Sequence, residues 1–419
     1  MDKAERKKQE GMPEVIAGGV TAAAGFQAAA AAAGIKYQGR NDMALVYSAF
    51  PCVAAGVFTS NVVKAAPVMW DKKIVSGGQA VHGIVVNSGI ANACTGKQGY
   101  RFCRETAQAA AQALQIPEDS VLVASTGVIG MQLPMERILA GVNALAGMLA
   151  DTREAAAEAA HAIMTTDTVS KEAAVTVEIG GKRVTVGGMC KGSGMIHPNM
   201  CTMLGFVTTD VCITKELLQE ALRSDVQDTY NMISVDGDTS TNDTVLVLAN
   251  GQAGNPVIAE KGEDYARFCR ALHDVNETLA KNMAGDGEGA TALLEVQVIG
   301  ADNKEDAKKL AKSVICSSLT KAAIFGHDAN WGRILCALGY SGALFDPERM
   351  ELYFAGREGK MLIYRDGQAV DYSEEEAGKL LAQPEVTIIA DMKMGEASAC
   401  AWGCDLTYDY VKINADYRS

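Results

Sequence analysis

The 419 residues contain no CxxC pair, no HExxH, no GxSxG and no Walker P-loop. The commonest zinc, serine-hydrolase and nucleotide-phosphate signatures are therefore missing. Histidine is scarce: there are five, none paired at ligand spacing, and zinc sites normally show paired ligands. No metal is expected. The 11 cysteines are scattered from Cys52 to Cys404, which reads as reduced, mostly buried thiols used as small apolar fillers. No apolar run reaches the ~20 residues of a membrane span. The opening MDKAERKKQE passes into Gly-Met-Pro rather than an apolar core, so it reads as a solvated arm and not a signal peptide. A cytoplasmic chain with no membrane partner is the expectation. Basic runs are missing too. Lys and Arg total 38 against 51 Asp and Glu, a net charge of −13 with only 9 Phe and 3 Trp, a poor surface for a phosphate backbone. Nucleic acid is not an expected partner.

What is present belongs to a folded chain. Apolar residues make up 48% and charged ones 21%, and the length suits one large or two interlocked domains. Strand and helix signals alternate without internal repeat. HGIVVN (82–87) and SVLVAS (120–125) read as short buried strands, each ended by a small polar residue and glycine. Gln98–Ile116 and Pro134 to about Ile163 carry helical spacing. Lys171–Gly188 reads as a hairpin about Gly180-Gly181, since two glycines supply the positive φ that a two-residue turn requires. Further helices are expected over Thr214–Arg223, Glu263–Met283 and Lys304–Thr320. Strands are expected over Val245–Leu248, Leu293–Val298, Val386–Ile389 and Asp405–Ile413. The fold class is mixed α/β (α+β) with long hairpins.

Several residues invite chemistry. Lys191-Gly-Ser-Gly leads through a Pro198-Asn199 turn to Thr202, which opens the strand-like run TMLGFV. A threonine hydroxyl is a poor nucleophile unless a base takes its proton. Cutting the preceding peptide bond frees the threonine's own α-amine, whose reference pKa of ~7.7–8.0 suits that task. On spacing alone an ordinary strand threonine explains position 202 as well. Thr126-Gly127 offers a hydroxyl and a backbone N–H to an oxyanion, or simply ends a strand. Lys191 meets a substrate carboxylate or is a solvated loop lysine. Gly285–Gly289 reads as a tight turn presenting Glu288. Asp236–Asp243 looks like a calcium loop but lacks its terminal Glu, and reads as a hydrogen-bonded surface loop.

The segment KGSGMIHPNMCTMLGFVTTD (191–210) closely resembles the autoprocessing segment of the ornithine acetyltransferase (glutamate N-acetyltransferase) family of arginine biosynthesis. Family-like strings recur in order: GVTAAAGFQAA (19–29), AAGVFTSN (54–61), VVNSGIANACTG (85–96), ASTGVIG (124–130), MTTDT (164–168), SVDGDTSTNDT (234–244), DGEGAT (286–291), HDANWGR (327–333) and CDLTYDYVKINADYRS (404–419). The resemblance implies an autoprocessed, N-terminal-threonine acyltransferase architecture with interlocked chains. It implies self-cleavage between Cys201 and Thr202 into chains 1–201 and 202–419. Thr202 would then take acetyl from N2-acetylornithine and pass it to glutamate by a ping-pong route. Carried over by position, Thr126 and Gly127 form the oxyanion hole, and Thr165, Lys191, Thr202, Glu288, Asn414 and Ser419 contact substrate. No cofactor is implied, although acetyl-CoA is a second acetyl donor in bifunctional relatives. The two self-cleaved chains would form a hetero-oligomer of at least α2β2.

The sequence departs from the family pattern at Cys201 (usually Ala), Ile90 (usually Asn), Ala329 (usually Pro) and Ser419 (commonly Thr). Ile90 puts a nearby hydrogen bond in question. A self-processing amidohydrolase or aminopeptidase that gives the acyl group to water is the alternative enzyme. A non-catalytic binding relative is the alternative of another class.

Overall fold

The structure, a computed structural model, describes residues 12–197, 203–357 and 359–416. The charged N-terminal arm, the Pro198-Asn199 turn, the Cys201–Thr202 bond and Ser419 lie outside the described residues.

In chain order the elements are β1 (Glu14–Val15), β2 (Phe26–Ala31), β3 (Met43–Phe58), α1 (Ala66–Gly77), β4 (Val81–Ile90), α2 (Gly96–Leu114) and β5 (Val121–Val128). Next come α3 (Met135–Gly147), α4 (Arg153–Ala162), β6 (Lys171–Ile179), β7 (Lys182–Lys191), β8 (Leu204–Thr209), α5 (Lys215–Asp225), β9 (Ile233–Ser234), β10 (Thr244–Ala249) and α6 (Glu263–Gly285). The last third holds β11 (Leu293–Ala301), α7 (Lys304–Cys316), α8 (Ser318–Phe325), α9 (Trp331–Gly339), β12 (Glu351–Gly356), β13 (Gly359–Arg365) and β14 (Gln368–Ala369). It ends with α10 (Glu374–Leu381), β15 (Glu385–Asp391), β16 (Ala397–Cys404) and α11 (Tyr408–Ala415). The fold is mixed α/β, as the sequence predicts.

Two compact units form, each assembled from several stretches of chain. The first comprises Met1–Gly192, Asn199–Gln227 and Thr239–Leu279. Its sheet runs β1-β6-β7-β8-β10-β3-β4-β5, with β2 added on β3. β3 serves two neighbourhoods: residues 43–48 pair with β2, and residues 53–58 pair with β10. The β3–β4 register shifts between Tyr47 and Cys52. The β6–β7 hairpin turns on Gly180 and Gly181 with φ of 56° and 71°, the geometry the two glycines predict.

β5 ends this sheet, so one row of its backbone groups needs partners. Helix α1 supplies two: Trp70 Nε1 donates to Val121 O (3.1 Å), and Asp71 Oδ1 accepts from Val123 N (2.9 Å). The core beneath is aliphatic and alanine-rich. Small residues on α2 and α4 such as Ala107, Ala110, Ala156, Ala159 and Ala160 are fully or nearly fully buried, which lets helices lie close on the sheet.

The second unit comprises Ser193–Pro198, Asp228–Asp238 and Ala280–Ser419. Its sheet runs β14-β13-β12-β15-β11-β16-β9, with α7 packed on β11 and β16.

Three expectations are corrected. The strand read at Asp405–Ile413, and with it a strand running to the C-terminus, is instead a three-residue link, 405–407, between β16 and helix α11. Thr407 decides this, because its side chain caps the helix by accepting from Tyr410 N. The helix read as Lys304–Thr320 is two helices. Ser317 adopts extended backbone (φ −73°, ψ 110°) and its hydroxyl caps α8 by accepting from Thr320 N. The segment Asp236–Asp243 is not a surface loop throughout, since Thr241, Asn242 and Asp243 are buried. The cysteines conform only in part. Cys52, Cys103, Cys190 and Cys404 are buried, but Cys94 and Cys336 are exposed.

Candidate active site

In the first unit β7 ends on Lys191, which is 7% exposed. It is a buried lysine, not a solvated loop lysine. Its Nζ donates to Thr165 Oγ1 (2.7 Å) and lies 3.6 Å from Asp167 Oδ2. Asp167 is the anchor of this group. Its carboxylate pairs with Lys171 at 2.7 Å and accepts from Thr165 N (3.0 Å) and Gly192 N (2.7 Å). Burial alone would push its pKa up, but the charges of Lys191 and Lys171 and the donated hydrogen bonds hold it well below the usual carboxylate range. Two buried ammonium groups thus share one carboxylate.

Thr126 and Gly127 lie near the end of β5, registered beside Ser88 and Gly89 of β4. Gly127 has φ of +127°, and an ideal Cβ there would lie 2.2 Å from the carbonyl carbon of Gly89. Only glycine permits that approach. The preceding residue is held from both sides. Ser125 Oγ donates to Asn87 Oδ1 (2.6 Å), and Asn242 Nδ2 donates to Ser125 O (2.8 Å) and Ala91 O (2.6 Å). Ile90 is buried in the apolar core, and its backbone carbonyl accepts from Asn87 Nδ2 (2.9 Å).

β8, the strand that starts two residues after Thr202, pairs antiparallel with β7 from Val186↔Thr209 to Lys191↔Leu204. It pairs parallel with β10, where Thr244 faces Leu204. Lys191, Leu204 and Thr244 therefore form one row across the sheet.

In the second unit Glu288 sits in the glycine turn, 5% exposed, and Gly289 takes φ of +69°. Its Oε2 accepts from Asn414 Nδ2 of α11 (2.7 Å), and its backbone N donates to Ser193 O (3.1 Å). Gly194 has a steric reason. An ideal Cβ there would fall 2.3 Å from the Glu288 carboxyl carbon. Asp236 anchors the neighbouring backbone, accepting from Met195 N (2.6 Å), Ile196 N (2.9 Å) and Tyr410 Oη (3.3 Å).

The structure thus brings Thr165 and Lys191 together and Glu288 and Asn414 together, and puts Thr126 and Gly127 at the end of β5. Cys201, Thr202 and Ser419 lie outside the described residues. Sequence reasoning missed Asp167, Asn242 and Asp243. The polar strings MTTDT and STNDT contained them, but nothing in either string shows that a side chain is buried. Among the described residues no group of three or more His, Cys, Asp or Glu is arranged to hold a metal, and no helix is long and apolar enough to cross a membrane.

The enzyme is an acyltransferase that takes small-molecule substrates. Residues 27–419 match the model of the ArgJ family. The chain is 55% identical over 97% of its length to the arginine biosynthesis bifunctional protein ArgJ of Symbiobacterium thermophilum, all of which is covered. It is 50% identical over 91% of its length to that of Thermotoga neapolitana, covering 95% of that protein. A crystal structure of the bifunctional ArgJ protein of Bacillus halodurans matches at 46% identity and a TM-score of 0.49, over 51% of this chain and 99% of that one. The chain belongs to the ArgJ family and acts in arginine biosynthesis.

Proposed function

We propose that the chain cleaves itself between Cys201 and Thr202 and then carries acetyl from N2-acetylornithine to glutamate as an ester of Thr202. In the first stage the Thr202 hydroxyl attacks the Cys201 carbonyl, the peptide nitrogen leaves with the hydroxyl's proton, and water opens the resulting ester. Chains 1–201 and 202–419 result. In the second stage the new α-amine takes the Thr202 hydroxyl proton as oxygen attacks the acetyl carbonyl, and ornithine leaves. The amine of glutamate then attacks the acetyl ester and restores the hydroxyl.

Thr126 and Gly127 hold the oxyanion of both tetrahedral intermediates, a role worth ~2.7–4 kcal/mol of barrier per donor. Lys191 and Thr165 receive the substrate α-carboxylate, with Asn414 and Ser419 as further polar contacts. Glu288 meets the side-chain end. Ornithine ends in a cation and glutamate in an anion, so partly hydrated polar groups there select weakly between them. The chemistry asks for no cofactor. The relatives' designation as bifunctional supports acetyl-CoA as a second acetyl donor. Residence in the cytoplasm, as an assembly of at least α2β2, completes the proposal.

One observation carries this reading: the strand ending in Lys191 lies in register beside the strand that starts just past Thr202. After cleavage the two chains would still share one sheet, since β7 precedes the cut and β8 follows it. The test is an acetyl-labelled substrate. Wild type given labelled N2-acetylornithine alone should carry label on the peptide beginning at Thr202 and release N-acetylglutamate when glutamate is added. Free acetate with or without glutamate, and no N-acetylglutamate, would mark the amidohydrolase instead.

A further inference from the structure

The polar string Ser240–Thr244 has no part in the steps proposed above, yet one of its side chains reaches the strands that carry Thr126 and Gly127. Asn242 stands two residues before β10 and is 7% exposed. Its backbone is pinned from several directions. Asn242 N donates to Ser240 Oγ (3.2 Å), and its carbonyl accepts from Thr244 Oγ1 (2.9 Å). The flanking carbonyls of Thr241 and Asp243 accept from Ala65 N (2.9 Å) and Thr59 N (2.9 Å). The side-chain amide is oriented as well. Its Oδ1 accepts from Thr241 Oγ1 (2.7 Å), and its Nδ2 donates to Ala91 O (2.6 Å), just past β4, and to Ser125 O (2.8 Å) in β5. Two carbonyl oxygens can be met only by the NH2 end, and both of its hydrogens are used.

Ser125 O belongs to the peptide unit whose other end is the Thr126 N–H, and that unit is planar. A donor fixed on the oxygen therefore fixes the plane from which Thr126 departs and from which the chain enters Gly127. The second carbonyl extends this hold beyond Gly127, because Ala91 N donates to Val128 O (3.0 Å). One amide thus ties β5 ahead of Gly127 to the residue of the β4 end that binds β5 behind it. We propose that Asn242 is a positioning residue for the oxyanion donors, its amide setting the orientation of Thr126 and Gly127 through Ser125 O and Ala91 O. The inference rests on the reading of Thr126 and Gly127 as those donors. Such donors act when they are already aimed at the charge that develops, so an error in their direction is felt in the transition state more than in the bound substrate.

The experiment uses full-length wild type, Asn242→Ala, Asn242→Ser, Thr126→Ala and the double variant Thr126→Ala/Asn242→Ala. Folding is followed by thermal unfolding, and transfer from N2-acetylornithine to glutamate is taken per cut chain, counted by intact mass. Thr126→Ala should lose about 100-fold or more in kcat. Asn242→Ala should lose about tenfold or more in kcat with KM within about twofold, and Asn242→Ser, which keeps a hydroxyl donor, should lose less. The double variant should lose clearly less than the product of the two single losses, because Asn242 acts through a donor already removed. Losses that multiply in full, or wild-type kcat in Asn242→Ala, would overturn the proposal while leaving Thr126 as a donor. So would failure of both Asn242 variants to fold, since that assigns Asn242 to the scaffold. Wild-type kcat in Thr126→Ala would remove the donor reading first and the proposal with it, so the two failures are told apart.

Discussion

Asp167 shows how much one side chain can govern without touching a substrate. It is enclosed, it pairs with Lys171 and Lys191, and it accepts from the backbone of Thr165 and of Gly192, next to Lys191. Its folded pKa is depressed, so its contribution to stability is fully present above the unfolded carboxylate value of about 3.9 and is lost as pH falls through the folded value. Asp167→Asn should therefore cost about 3–5 kcal/mol near neutrality, since two buried ammonium groups lose their counterion. It should also flatten the acid dependence below pH about 4. Urea midpoints measured from pH about 2 to 6 check both, and parallel curves for the two proteins would contradict this assignment. Thr126-Gly127 and Lys191 were legible in the sequence as candidates because glycine, threonine and lysine at strand ends carry obvious chemistry. Asp167 and Asn242 were not, because their meaning lies in burial and partners from distant segments. Ile90, which puts a nearby hydrogen bond in question, has its side chain in the apolar core.

Among the elements, local pattern predicted well where one signal dominated. Gly180-Gly181 dictated the β6–β7 turn, and HGIVVN and SVLVAS became the buried parallel pair β4 and β5. It failed at α11. A strand is expected there from the sequence, but a capping threonine starts a helix. Thr407 also donates to Gly289 O (2.8 Å), tying the helix start to the turn that carries Glu288. Thr407→Ala should cost about 1 kcal/mol as a lost cap, felt locally. Hydrogen exchange over residues 408–415 should quicken while the global unfolding midpoint barely moves. Equal loss of protection throughout the second unit would show that the helix start is part of its cooperative core. The break between α7 and α8 has the same origin: Ser317 caps a new helix rather than continuing the old one.

For the whole molecule, composition reached the fold class, and the family strings reached the chemistry. The segment around the proposed cut contributes to both compact units. Residues 193–198 belong to the second, while β7 on one side of position 202 and β8 on the other belong to the first. Such interleaving is invisible to a reader of linear sequence, since it depends on which strands pair. It bears on the central claim, because chains interwoven in this way survive the loss of one peptide bond. Intact mass of the purified wild type beside Thr202→Ala is the most direct measurement. The account predicts two fragments, 1–201 and 202–419, from active wild type, and one uncut, inactive chain from the variant. An uncut wild type that transfers acetyl, or a Thr202→Ala chain that still does, would contradict it.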